Sequence, residues 1–160
     1  MATDDGPATV HELIKDQHTC MLSTISPDGA IVSRPMATQQ TEFDGDLWFF
    51  AAADSAKAIE IQRNPRVNAA YAGTSTWVSL SGTASIVRDR AKARELWNPV
   101  VEAWFPEGPE DENVVLIHVE ADTAEYWDTP GGRVASVISL VKAKVTGKPY
   151  DGGENETVQL

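Results

Sequence analysis

The sequence predicts a mainly β domain, a closed or nearly closed antiparallel barrel with helices at its periphery. Three observations predict it. Most apolar segments have strand length and are rich in β-branched or aromatic residues. Tight turn signals, Ser26-Pro-Asp-Gly29 and Asp44-Gly45, separate several of them. One helix, over 56–63, is inserted between strands. With 160 residues, 42% hydrophobic and 23% charged, the chain reads as a single domain, 1–160, with a sizeable core. Residues 1–8 and about 148–160 read as tails, and no repeat or dividing linker is present.

The elements follow in order. Thr9-Val-His-Glu12 has the form of a capping box that opens a short helix to about Asp16, with Val10, Leu13 and Ile14 on one face. Thr19 to Ile25 and Ala30 to Met36 are strands around the Pro27-Asp-Gly turn. Thr41 to Phe43 is expected to pair with Asp46 to Phe50 as a hairpin around Asp44-Gly45. Asp54 and Ser55 are both good N-caps for a helix over Ala56 to Arg63, which Asn64-Pro65 stops. Val67 to Tyr71 and Trp77 to Val87 are strands joined by Gly73-Thr-Ser-Thr. Asp89 caps a helix through Leu96, and Asn98-Pro99 starts another that ends at Trp104-Phe105-Pro106. An acidic loop, Glu107 to Asn113, leads to two more strands, Val114 to Glu120 and Ala124 to Trp127. Val134, Val137, Ile138, Val141 and Val145 have helical spacing. Lys148 to Leu160 is a polar tail or carries a final strand near Glu156 to Leu160.

Composition excludes several classes of function. A net charge of −11 argues against nucleic acid and against an anionic membrane surface as partners. No apolar run approaches membrane-spanning length, and MATDDGPAT has acids where a signal peptide needs bases. Cys20 is the one cysteine, so no intramolecular disulfide can form, and a cytoplasmic location is expected. There is no glycine-rich dinucleotide fingerprint, P-loop or nucleophile elbow. Cys20 sits mid-strand among apolar residues and reads as buried and inert. His11, His18 and His118 show no ligand spacing, so no metal is expected.

What remains is a candidate anion site. The first 56 residues hold two basic side chains, Lys15 and Arg34, and Lys57 follows in the first turn of the central helix. A cation at that positive helix end is mildly unfavourable, by roughly 0.3–1 kcal/mol. Free backbone N–H groups, a serine hydroxyl and a lysine at one helix start suit a phosphate. The plainer reading is a solvated surface lysine beside an ordinary cap. Arg34, in Ser33-Arg-Pro-Met36, has two readings as well: an outward-pointing arginine, or a fork that holds a ligand carbonyl or phosphate. No side chain offers itself as a strong general acid or base, which suits cofactor chemistry and not hydrolysis.

The stretch from Phe50 to Val67, FAAADSAKAIEIQRNPRV, resembles the flavin-phosphate segment of the pyridoxamine 5′-phosphate oxidase family. There a strand ending Tyr-Thr precedes Ser-Arg-Lys-Ala and a helix ending Asn-Pro-Arg-Val. Ser55, Lys57, Ala58 and Asn64 to Val67 match in register, with Phe50-Ala51 in place of Tyr-Thr and Ala56 in place of a phosphate-binding arginine. The chain is most similar to the general-stress-protein branch of these flavin-binding split barrels. The resemblance implies a six-stranded antiparallel Greek-key split barrel that binds FMN, with FAD as the alternative, at a homodimer interface. It implies flavin contacts for Arg34, Pro35 and Met36. Ala124-Glu-Tyr-Trp127 resembles the family's Glu-Phe-Trp strand, whose Trp lies near the flavin. Trp77 stands where the oxidases carry a flavin-contacting Gln, and Trp104 where the family reaches the partner's flavin. The oxidases' substrate-gripping Arg-x-His is missing: the chain reads Asp-Thr-Pro-Gly-Gly-Arg133, so pyridoxamine phosphate oxidation is not expected. The functions implied are a flavin-dependent oxidoreductase, with NAD(P)H a possible donor, or a non-catalytic flavin-binding stress protein. A split barrel holding a deazaflavin is a further alternative, and the lack of a His pair disfavours heme.

Overall fold

The computed structural model describes residues 6–39, 41–128, 137, 141, 144 and 155–160. The elements are α1 (Gly6–Ile14), β1 (Thr19–Ile25), β2 (Ile31–Ala37), β3 (Asp46–Ala52), α2 (Ala56–Arg63), β4 (Arg66–Ala72), β5 (Thr76–Val87), α3 (Arg90–Leu96), α4 (Pro99–Trp104), β6 (Val114–Asp128) and β7 (Asn155–Gln159). All strand pairs are antiparallel, in the order β2-β1-β4-β5-β6-β3, with β7 also on β6. β3 leaves its sequence neighbours and crosses to the far side of β6, a long connection of Greek-key type.

Four expectations need correction. Among the described residues the sheet has seven strands, not six, because the C-terminal segment supplies β7, the final strand expected near Glu156 as the alternative to a tail. Residues 41–43 form no strand, and Asp44-Gly45 turns the chain into β3 alone; Gly45 takes φ 112° and Asp44 Oδ1 accepts from the Asp46 amide. Phe43 instead lies buried near α1, its amide donating to His11 Nδ1 at 3.1 Å. The two strands expected over 114–127 are one strand, β6, that bulges at residue 122. Its free edge is shared: β3 pairs with Val114–Glu120 and β7 with Thr123–Trp127. Finally, α1 starts at Gly6, within the segment read as a tail, so Thr9 is a buried helical residue rather than a cap. The helical spacing over 134–145 falls largely outside the described residues; Val137 and Val141 are helical and buried in the core, whereas Val134, Ile138 and Val145 lie outside.

The bulge explains one glycine. A Cβ on Gly82 would stand 2.2 Å from the Glu120 carbonyl oxygen, so β5 and β6 approach there as only glycine allows.

The main core lies on the inner face of the sheet, closed by Val10, Leu13 and Ile14 of α1 and by Ile61 of α2. A second cluster covers the opposite face of β3 and β6, where Phe50 and Leu116 meet Ala93, Leu96 and Val101 of α3 and α4. β3 and the first half of β6 are therefore buried on both faces. That is why Leu47–Ala53 and Val114–Val119 read as nearly unbroken apolar runs instead of alternating ones.

Candidate functional site

β3 ends at Ala52 and a two-residue turn delivers Ser55 as the N-cap of α2. Ser55 has extended backbone angles (φ −70°, ψ 152°); its Oγ donates to the Ala52 carbonyl at 2.7 Å and accepts from the Ala58 amide at 3.4 Å. Of the two caps the sequence offered, serine is the one used. No acidic residue occupies the first turn, and the Ala56 and Lys57 amides have no hydrogen-bond partner among the described residues. Lys57 is half-buried and has no ion-pair partner among them either. Burial, and then the neighbouring Arg34 guanidinium, hold its pKa below the ordinary lysine value. Lys57 is thus partly withdrawn from solvent and unpaired among the described residues.

Arg34 points inward, toward α2. Its Nη1 donates to Thr24 Oγ1 at 2.7 Å and to the Leu22 carbonyl at 3.2 Å, and its Nη2 lies 3.2 Å from Glu60 Oε2. Thr24 Oγ1 donates in turn to Glu60 Oε2 at 2.5 Å. Glu60 is 7% exposed, and sequence reading did not single it out. The available signal was its place one turn after Lys57 and next to the core-facing Ile61. Arg34 is thus neither an outward arginine nor a free fork: the protein itself occupies much of its donor set. Two cations and one carboxylate leave a local surplus of positive charge in a chain of net charge −11.

The other predicted residues separate into two groups. Met36 and Ala51 lie in the main core, and Phe50 packs edge-on against Trp97 in the second cluster, with ring centroids 5.4 Å apart. Pro35 is exposed on β2, an end strand of the sheet, where the missing N–H costs no ladder bond. Trp77 and Trp127 are register partners on β5 and β6. Trp77 alternates with buried Val78 and Leu80, so it lies on the outer face, opposite the side on which Arg34 sits. Trp104, on α4, is 76% exposed. The structure brings Ser55, Lys57 and Arg34 together, and one chain alone does not bring the three tryptophans to them.

The outer face around Trp77 is built of small and polar side chains. Ser23 and Ser33 hydroxyls meet at 2.6 Å, and Asn68 Nδ2 donates to Ser79 and Ser81 at 2.8 and 3.1 Å. Met21 and Ile31 add exposed apolar area at its β1–β2 end. Cys20 is buried, as expected, and burial pushes its thiol up to about 12.

Comparison with known proteins places this geometry. A family model described as pyridoxamine 5′-phosphate oxidase like matches residues 5–151. Protein bli-3 of Neurospora crassa is 34% identical over 148 residues, covering 86% of this chain and 71% of that protein. The chain is similar in structure to the general stress FMN/FAD binding protein from Xanthomonas citri, with a TM-score of 0.67 and 30% identity over 79% of this chain and 90% of that one. It is similar to general stress protein 26 from Bacillus anthracis, with a TM-score of 0.67 and 29% identity over 75% of this chain and 92% of that one. These neighbours share the split-barrel fold, as the resemblance in sequence implied. The chain belongs to the pyridoxamine 5′-phosphate oxidase-like family.

Proposed function

We propose that this protein binds FMN as a homodimer and acts as a flavin-dependent oxidoreductase of the general-stress-protein type. The observation that carries the proposal is Lys57: a half-buried cation with no ion-pair partner among the described residues, beside two free amides at the start of α2. Desolvating an ammonium without a counter-charge is costly, and a phosphate in front of it would offset that cost. The residues present fit such a group, although Ala56 leaves the site one cation short of the family segment it resembles. FAD shares the same phosphate chemistry and is the alternative cofactor. A relative carries FMN/FAD binding in its name, which supports a flavin without choosing between the two.

In this reading Ser55, Lys57 and the α2 amides hold the phosphate. Arg34, Pro35 and Met36, with the backbone at Phe50 and Ala51, line the rest of the molecule. The flavin, when bound, supplies the electron or hydride transfer, with NAD(P)H a candidate donor. The chain's own contribution is binding and orientation. Arg34 is fixed in place by Glu60 and Thr24, so its part would be to orient a ligand. The separation of the tryptophans from Arg34 and Lys57 supports the dimer: Trp77, Trp127 and Trp104 would complete the pocket from the partner subunit. A cytoplasmic setting agrees with the composition, and among the described residues no helix is long and apolar enough to cross a membrane.

A second reading has a specific observation in its favour. Arg34, the cation whose charge acts on Lys57, is tied up by Glu60 and Thr24 rather than left free for chemistry. A flavin-binding stress protein without turnover would need no free acid or base. Mixing the FMN-loaded protein with NADPH and NADH under anaerobic conditions separates the two: bleaching of the flavin band with turnover on re-oxidation supports the enzyme, and an unreduced, tightly held flavin supports the binding protein.

A further inference from the structure

We infer that Asp46, His118 and Glu120 form a site for a divalent transition-metal ion of the Zn2+ class, at the end of β3 remote from α2. The sheet register builds it. Asp46 is the first residue of β3 and stands directly opposite Glu120 on β6, while His118 pairs with Trp48 and shares a face with Glu120 two residues on. One ligand atom from each of the three lies within 4.8 Å of the others. His118 Nε2 is 3.2 Å from Asp46 Oδ1. Two ligands on a tetrahedral ion with bonds of about 2.05 Å are roughly 3.3 Å apart, so this pair is already at coordination spacing. Glu120 is exposed and needs only a side-chain adjustment to close the third contact.

Two further observations favour an ion over a plain surface ion pair. His118 Nε2 is shielded from solvent yet makes no well-formed hydrogen bond, despite the short distance to Asp46. Asp46 and Glu120 are like charges placed directly opposite on paired strands, an arrangement that costs stability, and neither reaches a lysine or arginine among the described residues. The neighbouring cations are committed elsewhere: Arg66 to Asp122 and Thr83, and Lys92 to Glu95 and the Trp48 ring, 5.0 Å from its centroid. The imidazole plane is fixed by Trp48, stacked on it at 4.2 Å and 14°. One imidazole and two carboxylates suit Zn2+ or Co2+ better than a cation that prefers oxygen alone, and three protein ligands leave a position open to water. The six steps of β3 from Asp46 to Ala52 put this site about 20 Å from the phosphate cradle, so it does not depend on flavin binding.

The test titrates ZnCl2 into the metal-free protein by calorimetry, with intrinsic tryptophan fluorescence as a second readout and CoCl2 absorption to report the ligand set. We expect one ion per chain with a micromolar dissociation constant, and a change in the emission of the tryptophan stacked on the ligating imidazole. Glu120→Gln, at an exposed position, should fold normally and bind at least about tenfold more weakly. His118→Ala should abolish the fluorescence response, while His18→Ala should leave binding unchanged. No saturable binding would overturn the inference. So would unchanged affinity in a folded Glu120→Gln protein, because the ion would then be held elsewhere.

Discussion

Replacing Glu60 by Gln removes one charge and no volume. In the native protein the Glu60 carboxylate faces Arg34 Nη2 at 3.2 Å and the Thr24 hydroxyl at 2.5 Å, at 7% exposure. Breaking a buried ion pair by removing one partner typically costs about 3–5 kcal/mol. Here Arg34 keeps its bonds to Thr24 and Leu22 and its side chain is 18% exposed, which reduces the cost to about 2–3 kcal/mol. For a chain of this size that is a fall in melting temperature of roughly 5–10 °C. The assay is urea and thermal unfolding of the flavin-free protein, followed by circular dichroism. Arg34→Met combined with Glu60→Leu should recover much of the loss, since an apolar pair leaves no uncompensated charge. The same Glu60→Gln variant should bind FMN no more weakly than wild type, because Lys57 then faces the phosphate without a carboxylate one turn away. A loss below about 0.5 kcal/mol would refute the buried pair. A loss of flavin affinity in the folded variant would refute the placement of Lys57 at the phosphate.

Lys57→Ala is expected to weaken FMN binding by about 1–3 kcal/mol through loss of a charge-assisted contact, measured by fluorescence quenching of free FMN. The same contact gives a pH dependence. Lys57 has a lowered pKa in the folded, flavin-free chain, so the unfolded chain holds that proton more tightly; the fold gains stability as pH rises from the lowered value toward 10.5, while FMN affinity falls over the same window as the charge is lost. Gly82→Ala must push β5 from β6 at the bulge and should cost about 2–4 kcal/mol in unfolding free energy, whereas an alanine at exposed Thr83, which gives up only a long surface bond from Arg66, should cost about 0.5 kcal/mol or less. Cys20 should resist a thiol reagent at pH 8 in the native protein and react fully in denaturant, as a buried thiol raised to about 12 requires.

The local signals in the sequence translated well into structure where the physics is local. Ser55, Asp89 and Asn98 each cap the helix that their side chains suggested, and Pro99 starts one at its tolerated position. The errors arose where the deciding contact is distant. Asp44-Gly45 looks like a hairpin turn, yet β3 finds its partner in β6, some 70 residues later, and a dipeptide carries no information about that choice. The break in apolar pattern near Asp122 split the segment into two expected strands but is a bulge within one, which Gly82 on the neighbouring strand makes possible. The site was legible in the same measure. Ser55 and Lys57 carry it in sequence. Glu60 and Thr24, which fix Arg34, become visible only when α2 is laid against β1 and β2.

The most direct test of the central claim is the visible absorption spectrum of the purified protein after incubation with FMN and removal of free ligand, with the mass of whatever denaturation releases. The account predicts a retained flavin band at about one per subunit, released as FMN and diminished in Lys57→Ala. A colourless protein after incubation with either FMN or FAD would contradict it, and would mean that the cations at Arg34 and Lys57 serve some ligand other than a flavin.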